Sequence, residues 1–472
     1  MKADMSEFLC LKKPVLLSLI TKLREEFDYA SVLGTDVKCK TFSVRDKSTY
    51  AADGNWAERG FVVRVYKDGR YYEHSFNDIS ENGVTALAGR ISDSARAAAM
   101  VTGDIISYPL IAEEEMVKSF AGDAAKPLDA MTSGEIIAKL RALNEKAHTY
   151  SELLVDFITP LTTTHVSKLF LSDKKDLEQS YIWSEAYLVA VVRRGDVTKN
   201  SYKPYSGLKG LEILDEMESG LHDVVSNACK LLDASPMPPG EYEVVCSPDA
   251  VGIIAHEAFG HGVEMDMFVK NRAKAVEYLD KKVASPIVTM HDGAAAAEHV
   301  SSYLFDDEGT LGADTVIIEN GTLKAGISDL LSALKLGTEP TGNGKRESFE
   351  RKAYTRMTNT FFSAGTHTPE EMIASVKHGY FIQHASSGME DPKDWGIQVM
   401  FESAEEIIDG KLTGKIVAPV IMTGYVPTLL SDISMVSGDF GLEGSGGCGK
   451  GYKEWVKVSA GGPYIKTKAR LG

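Results

Sequence analysis

Apolar positions recur at helical spacing over residues 14–29, 79–100 and 133–157, and alternate with polar ones over 31–44, 61–72, 165–171 and 187–194. The first pattern predicts amphipathic helices and the second half-buried strands. Within 61–72 the alternation turns about Lys67-Asp68-Gly69, a dipeptide chemistry that predicts a tight hairpin, because Asp and Gly tolerate positive φ. A further helix is expected over 211–232. The first half of the chain therefore reads as α/β.

Ser235-Pro236-Met237-Pro238-Pro239-Gly240 breaks the pattern. Three prolines and a glycine in six residues fit neither a helix interior nor a central strand, so the domain boundary is placed here. Beyond it, a strand over 241–246 leads directly into a helix. Hairpins follow at Asn320-Gly321 and Asp409-Gly410, with short helices over 328–336 and 369–376. The reading is an α+β fold of two domains: an α/β N-terminal domain (1–234), and a C-terminal domain (241–472) dominated by twisted antiparallel sheet around one buried helix.

That buried helix carries the chemistry. His256-Glu257-Ala258-Phe259-Gly260-His261-Gly262-Val263-Glu264-Met265-Asp266 holds two histidines and three carboxylates in eleven residues. Two imidazoles can hold a zinc ion while leaving it electrophilic, and an unligated glutamate beside the first can take a proton from water. In H-E-x-x-H the ligands are four apart on one helical face. Here they are five apart, which places the second about 140° round an ideal helix from the first. The helix must deform, and a one-residue π-bulge beside Gly260 and Gly262 would absorb the extra position. Ser247 is expected as its N-cap, with Pro248 and Asp249 in the first turn. The competing structural reading is an amphipathic helix with a polar wet face.

A catalytic zinc site needs a third protein ligand. Candidates in the second domain are Glu264, Asp266, His291, His299, His367, His378, His384 and Cys448; His74, His148, His165 and His222 stand apart from other ligand types. Cys448 is favoured, because the surrounding glycines let the backbone approach an ion and expose the thiolate. Gly444-Ser445-Gly446-Gly447-Cys448-Gly449-Lys450 also matches most of a P-loop, but Gly451 stands where Ser or Thr would hold magnesium, and a strand-like pattern follows. Nucleotide binding is set aside.

The helix motif resembles the signature of the TldD/PmbA family of zinc metalloproteases, also called modulators of DNA gyrase. Phe305-Asp306-Asp307-Glu308-Gly309, Ile318-Glu319-Asn320-Gly321, Thr341-Gly342-Asn343-Gly344, Arg356-Met357-Thr358-Asn359-Thr360 and Cys448-Gly449-Lys450 are similar to family landmarks and follow in family order. Possession of H-E-x-x-x-H places the chain with the TldD-like catalytic members. The resemblance implies a peptidase with zinc held by His256, His261 and Cys448, and Glu257 as general base. Glu264 and Asp266 are assigned to orienting the imidazoles or closing the bulged helix. It also implies a dimer, either of like chains or with a family relative. At Gly451-Tyr452-Lys453-Glu454-Trp455 the chain departs from the family's Gly-Gln continuation, which bears on specificity.

Composition narrows the partners. With 51 basic and 67 acidic residues the formal charge is −16, and no dense Lys/Arg run supplies a footprint for nucleic acid. Five widely spaced cysteines suit a reducing compartment. No segment reaches the roughly 20 apolar residues of a membrane span, and the apolar run 14–20 lacks a cleavage-site pattern. The expectation is a cytoplasmic zinc peptidase acting on extended peptides or unfolded proteins. The alternative is a non-catalytic peptide-binding or assembly subunit whose metal is structural or absent.

Overall fold

The computed structural model describes residues 1–101, 106–451 and 454–472. Tyr452 and Lys453, within the departure noted above, lie outside the described residues. Two sheets organise the chain, one on each side of the proline-rich segment.

The N-terminal sheet has eight strands, with Tyr29–Val44, Leu154–Ser172 and Lys175–Arg194 at its centre. Its pairings are antiparallel except that of Met116–Ala121 with Lys175–Arg194. The central strands run to 20 residues, much longer than the alternating stretches anticipated. Helices Glu7–Leu23 and Val84–Ala99 pack into one apolar cluster of this domain, and Ser133–Ala147 and Leu221–Leu231 into another. Three sequence expectations need correction here. The first helix starts seven residues earlier than 14, where Ser6 caps it by accepting from Leu9 N. The helix expected over 133–157 ends at Ala147, and Leu154 already opens a strand. The helix expected over 211–232 is split by a 3-10 turn at Glu218–Gly220.

The C-terminal sheet has eleven strands. Ser459–Leu471 pairs with both Val420–Tyr425 and Gly240–Cys246. Because Gly240–Cys246 also pairs with His378–Glu390, and that strand with Gly396–Ile408, which returns to Val420–Tyr425, the hydrogen bonding closes on itself. Gly240–Cys246 runs parallel to His378–Glu390, so the sheet is mixed although most pairs are antiparallel. The anticipated turns form: Asp68-Gly69, Asn320-Gly321 and Asp409-Gly410 all have both φ values positive, which matches the twist of the strands they join.

Helix Pro248–Ala255 follows Gly240–Cys246 with only Ser247 between them. Ala250, Val251, Ile254 and Ala255 are fully buried in the main C-terminal core. A Cβ on Gly252 would lie 2.8 Å from Gly461 N, so glycine is required for the helix to press this close to strand Ser459–Leu471. That contact seats the helix, and with it the two histidines at its end.

A candidate metal centre at the end of the buried helix

The helix changes pitch where the histidine spacing demands it. Residues His256–Gly260 form a π-helical turn, and the His261 N–H bonds to the His256 carbonyl, an i→i+5 bond that inserts one residue into the turn. A 3-10 turn, His261–Val263, follows. The Ser247 side chain does not cap the helix; its hydroxyl bonds Asp249. Asp249 is instead engaged across the cleft, accepting from Ala385 N at 3.0 Å.

The bulge brings both imidazoles to one point. Cys448 Sγ lies 3.2 Å from His256 Nε2 and 3.2 Å from His261 Nε2. A tetrahedral ion about 2.3 Å from sulfur and about 2.05 Å from nitrogen sets such atoms about 3.5 Å apart. The observed spacing therefore suits a single ion, and the two-nitrogen, one-sulfur donor set suits zinc. This is the one such group of His, Cys, Asp or Glu among the described residues. Burial alone would push the Cys448 thiol up, but the two facing imidazoles more than reverse this and bring it down to about 4. The facing imidazoles thus favour the thiolate, the form in which a cysteine ligates a metal.

Glu264 and Asp266 sit beside this group in different roles. Glu264 is 1 % exposed; its Oε2 lies 3.1 Å from His261 Nδ1 and 3.0 Å from Lys450 Nζ. Burial opposes its ionisation, yet Lys450, His261 and Arg356 bring it down to about 2. A carboxylate on Nδ1 holds the ring with Nε2 turned toward Cys448 Sγ, the arrangement expected of a partner that orients a ligating imidazole. Asp266 bonds Lys450 at 2.6 Å and Lys270 at 3.1 Å and does not touch an imidazole. It holds Lys450, not a ligand.

Sequence reasoning missed two groups here. Arg356, 1 % exposed, donates from Nη2 to the Cys448 carbonyl at 2.8 Å. Its only signal was membership of the Arg356–Thr360 landmark, with nothing in local pattern to mark it. Glu390 ends strand His378–Glu390; both its carboxylate oxygens are buried without a hydrogen-bond partner, as is Trp395 Nε1. Burial pushes Glu390 up to about 9, with His261 offsetting only part of the shift.

Glu257 is 7 % exposed, and its side chain makes no hydrogen bond among the described residues. Strand His378–Glu390 passes directly over it, since a Cβ on Gly388 would lie 2.5 Å from Glu257 Cγ. Both face a cleft of about 1560 Å³ lined from the C-terminal domain by His256, His261 and Cys448 and from the N-terminal domain by Tyr187 and Tyr202. The other candidate ligands lie elsewhere. His291 bonds Asp314 and stacks on Phe361, His299 bonds Ser459, His367 lies against the Val436 carbonyl, and His378 packs on Tyr242. His384 lines the cleft but meets Asn227, not the triad. The P-loop-like segment opens no helix; Cys448 pairs with Val456 across a short bridge.

Comparison with known proteins agrees with this architecture. Residues 239–469 match the PmbA/TldA metallopeptidase C-terminal domain. A metalloprotease of Methanothermobacter thermautotrophicus is 28% identical over 459 residues, 96% of each chain. A zinc metalloprotease TldD homologue of Saccharolobus solfataricus is 31% identical over 60% of this chain and 63% of its own. Among solved structures, TldE of Thermococcus kodakarensis superposes with a TM-score of 0.74 at 19% identity, covering 96% of this chain and 99% of that one. A modulator of DNA gyrase from Thermotoga maritima gives 0.75 at 18%, covering 98% and 100%. Closed mixed sheet, bulged helix, cysteine loop and these likenesses together assign the chain to the TldD/PmbA family.

Proposed function

We propose that this chain is a zinc-dependent peptidase that cleaves extended or unfolded peptides. The observation that carries the reading is the meeting of His256 Nε2, His261 Nε2 and Cys448 Sγ beside a Glu257 carboxylate that no side chain occupies. A zinc ion held there would supply Lewis acidity for a peptide carbonyl and for water. Glu257 takes the proton from the attacking water and returns it to the departing amine, which its place next to His256 and its lack of other partners leave it free to do. Glu264 keeps the His261 ring in register during this exchange.

The cleft suits a strand. Gly240–Cys246 pairs with residues 379–382 of His378–Glu390 and then turns away into the helix. At Ala385 the N–H and carbonyl of that edge are taken by Asp249 and Tyr202, and beyond it, above Glu257, the edge can take a peptide by strand addition. Backbone bonding of this kind is tolerant of sequence. The fold shared with TldE supports assembly with a second family chain, and five unpaired cysteines suit the cytoplasm. A thiolate ligand is also met in structural zinc sites, which is the ground for the alternative of a non-catalytic subunit. The unoccupied Glu257 beside an open cleft favours catalysis.

Metal analysis of the wild type and Cys448→Ser after expression with zinc tests the reading. About one zinc per chain, lost in the variant, is expected for a three-ligand site. A wild type that takes up no zinc sinks it.

A further inference from the structure

The loop that carries Cys448 is fixed at the cysteine by the bridge to Val456 and by Arg356, and its approach, residues 443–446, is fixed separately. Gly444, Gly446, Gly447, Gly449 and Gly451 would otherwise leave the loop conformationally free, and Gly446 and Gly451 have positive φ. A ligand on such a loop binds weakly unless something else fixes the backbone, because ordering it is then charged to metal binding.

What fixes it comes partly from the other domain. Glu185, on strand Lys175–Arg194, accepts the Gly446 N–H at 2.7 Å and pairs with Lys457 at 2.6 Å. Lys457 in turn donates to the Gly446 carbonyl at 2.7 Å. The Gly446 peptide is thus gripped at both ends, two residues before Cys448. Glu185 stands directly across the sheet from Ser206, whose hydroxyl accepts Gly444 N–H at 2.8 Å and donates to Glu443 at 2.6 Å. Lys457 also lies 4.7 Å from the Trp183 ring centre, and its pair with Glu185 is nearly sealed, with side chains 9% and 12% exposed. One cross-strand pair of the N-terminal domain therefore meets three residues of the loop's approach, Glu443, Gly444 and Gly446. Glu185 touches neither the metal position nor the cleft strand, so peptide binding does not explain its burial.

We propose that Glu185 is a positioning residue of the metal centre, so that the N-terminal domain, through Glu185 and Ser206, sets the geometry of the Cys448 ligand from across the domain junction. The proposal rests on Cys448 being a ligand. It makes the metal site a product of both domains although all three ligands come from one.

The test measures zinc affinity by chelator competition in wild type, Glu185→Ala, Glu185→Gln and Ser201→Ala. The Ser201 hydroxyl bonds Glu402 at 2.7 Å across the same junction without touching the loop. Losing a charge-assisted bond should weaken zinc about tenfold to a hundredfold in Glu185→Ala, less in Glu185→Gln, which keeps an acceptor, and not at all in Ser201→Ala. Amide hydrogen exchange of residues 444–451 in the metal-free protein gives a second readout, and it should accelerate in both Glu185 variants. Should Glu185→Ala fail to fold, Glu185→Gln and its exchange decide. Unchanged affinity and exchange in a folded Glu185 variant, or an equal loss in Ser201→Ala, overturns the proposal while the zinc reading stands. Absence of zinc from the wild type overturns both.

Discussion

Two acid-rich segments of this chain look alike as strings and do opposite things. Phe305-Asp306-Asp307-Glu308-Gly309 and His256 to Asp266 each bury several carboxylates. In the first, nearly every oxygen is engaged. Asp306 accepts from Glu308 N, Thr310 N and Gly344 N at 2.8–2.9 Å; Asp307 pairs with Lys168 and accepts from Arg346 N; Glu308 pairs with Arg64 and accepts from Leu330 N. Lys168 and Arg64 belong to the N-terminal domain, so this segment is a joint between domains. In the second, Asp266 is similarly engaged and Glu264 is engaged through Oε2, its Oε1 facing Arg356 at 3.6 Å without a hydrogen bond, while Glu257 is left free and Glu390 across from it has no partner. Carboxylates that have spent their lone pairs build the fold. Those held buried without partners are in reserve for something the protein binds.

The contrast can be broken by exchanging charge for shape in each segment. Glu257→Gln should lower peptide cleavage by about a hundredfold to ten-thousandfold, the range for loss of a general base. Metal content should persist, and unfolding should come no earlier than in wild type, since no bond is lost. Loss of metal would instead make Glu257 a ligand. In the joint the same kind of change should act on stability. Glu308→Ala leaves the buried Arg64 with Glu73 alone and should cost about 3 kcal/mol or more by denaturant unfolding. Its residual activity per folded molecule should stay near wild type. If Glu308→Ala were silent in unfolding, the joint would not be what the bonding says.

How far each segment could be read from sequence follows from the range of the forces involved. The π-bulge was legible because two histidines five apart converge on one point only if the helical pitch gives way, and the Asp-Gly and Asn-Gly turns because positive φ is a local demand. Cys448 was legible through its glycines. The long strands were not: residues 154–157 continue a helical pattern, and only pairing with Lys175–Arg194 makes them strand. Arg356, Glu185 and Glu390 left no local mark, because each acts on a residue at least 92 positions away or on a wall formed only in the fold. Ser247 takes the expected N-cap position, but its hydroxyl bonds the Asp249 side chain and not a backbone N–H.

Glu390 sharpens the comparison through pH. Its pKa in the folded protein, about 9, stands above the ordinary carboxylate value near 4.3. The folded state therefore keeps a proton that the unfolded chain releases. This contribution to stability is complete below about pH 4.3 and is lost as pH rises toward 9, with a limiting slope of about 1.4 kcal/mol per pH unit. In metal-free protein, Glu390→Gln should flatten the fall in unfolding free energy over that window. An unchanged pH profile would mean that Glu390 finds a partner in solution and belongs with the satisfied group.

The smallest effect separates the two carboxylates next to the triad. Lys450 is held by both Glu264 and Asp266, and only Glu264 also reaches His261. Asp266→Asn keeps an acceptor for Lys450 and leaves Glu264 in place, so zinc affinity should fall by only about two- to fivefold, the scale of a weakened neutral-for-charged bond. Glu264→Gln removes the charge that faces His261, Lys450 and Arg356 together and should weaken zinc about tenfold to a hundredfold. Chelator competition on the two variants side by side reads the ratio. Equal losses would show that the Lys450 contact, and not the bond to the imidazole, is what these acids contribute to the metal site.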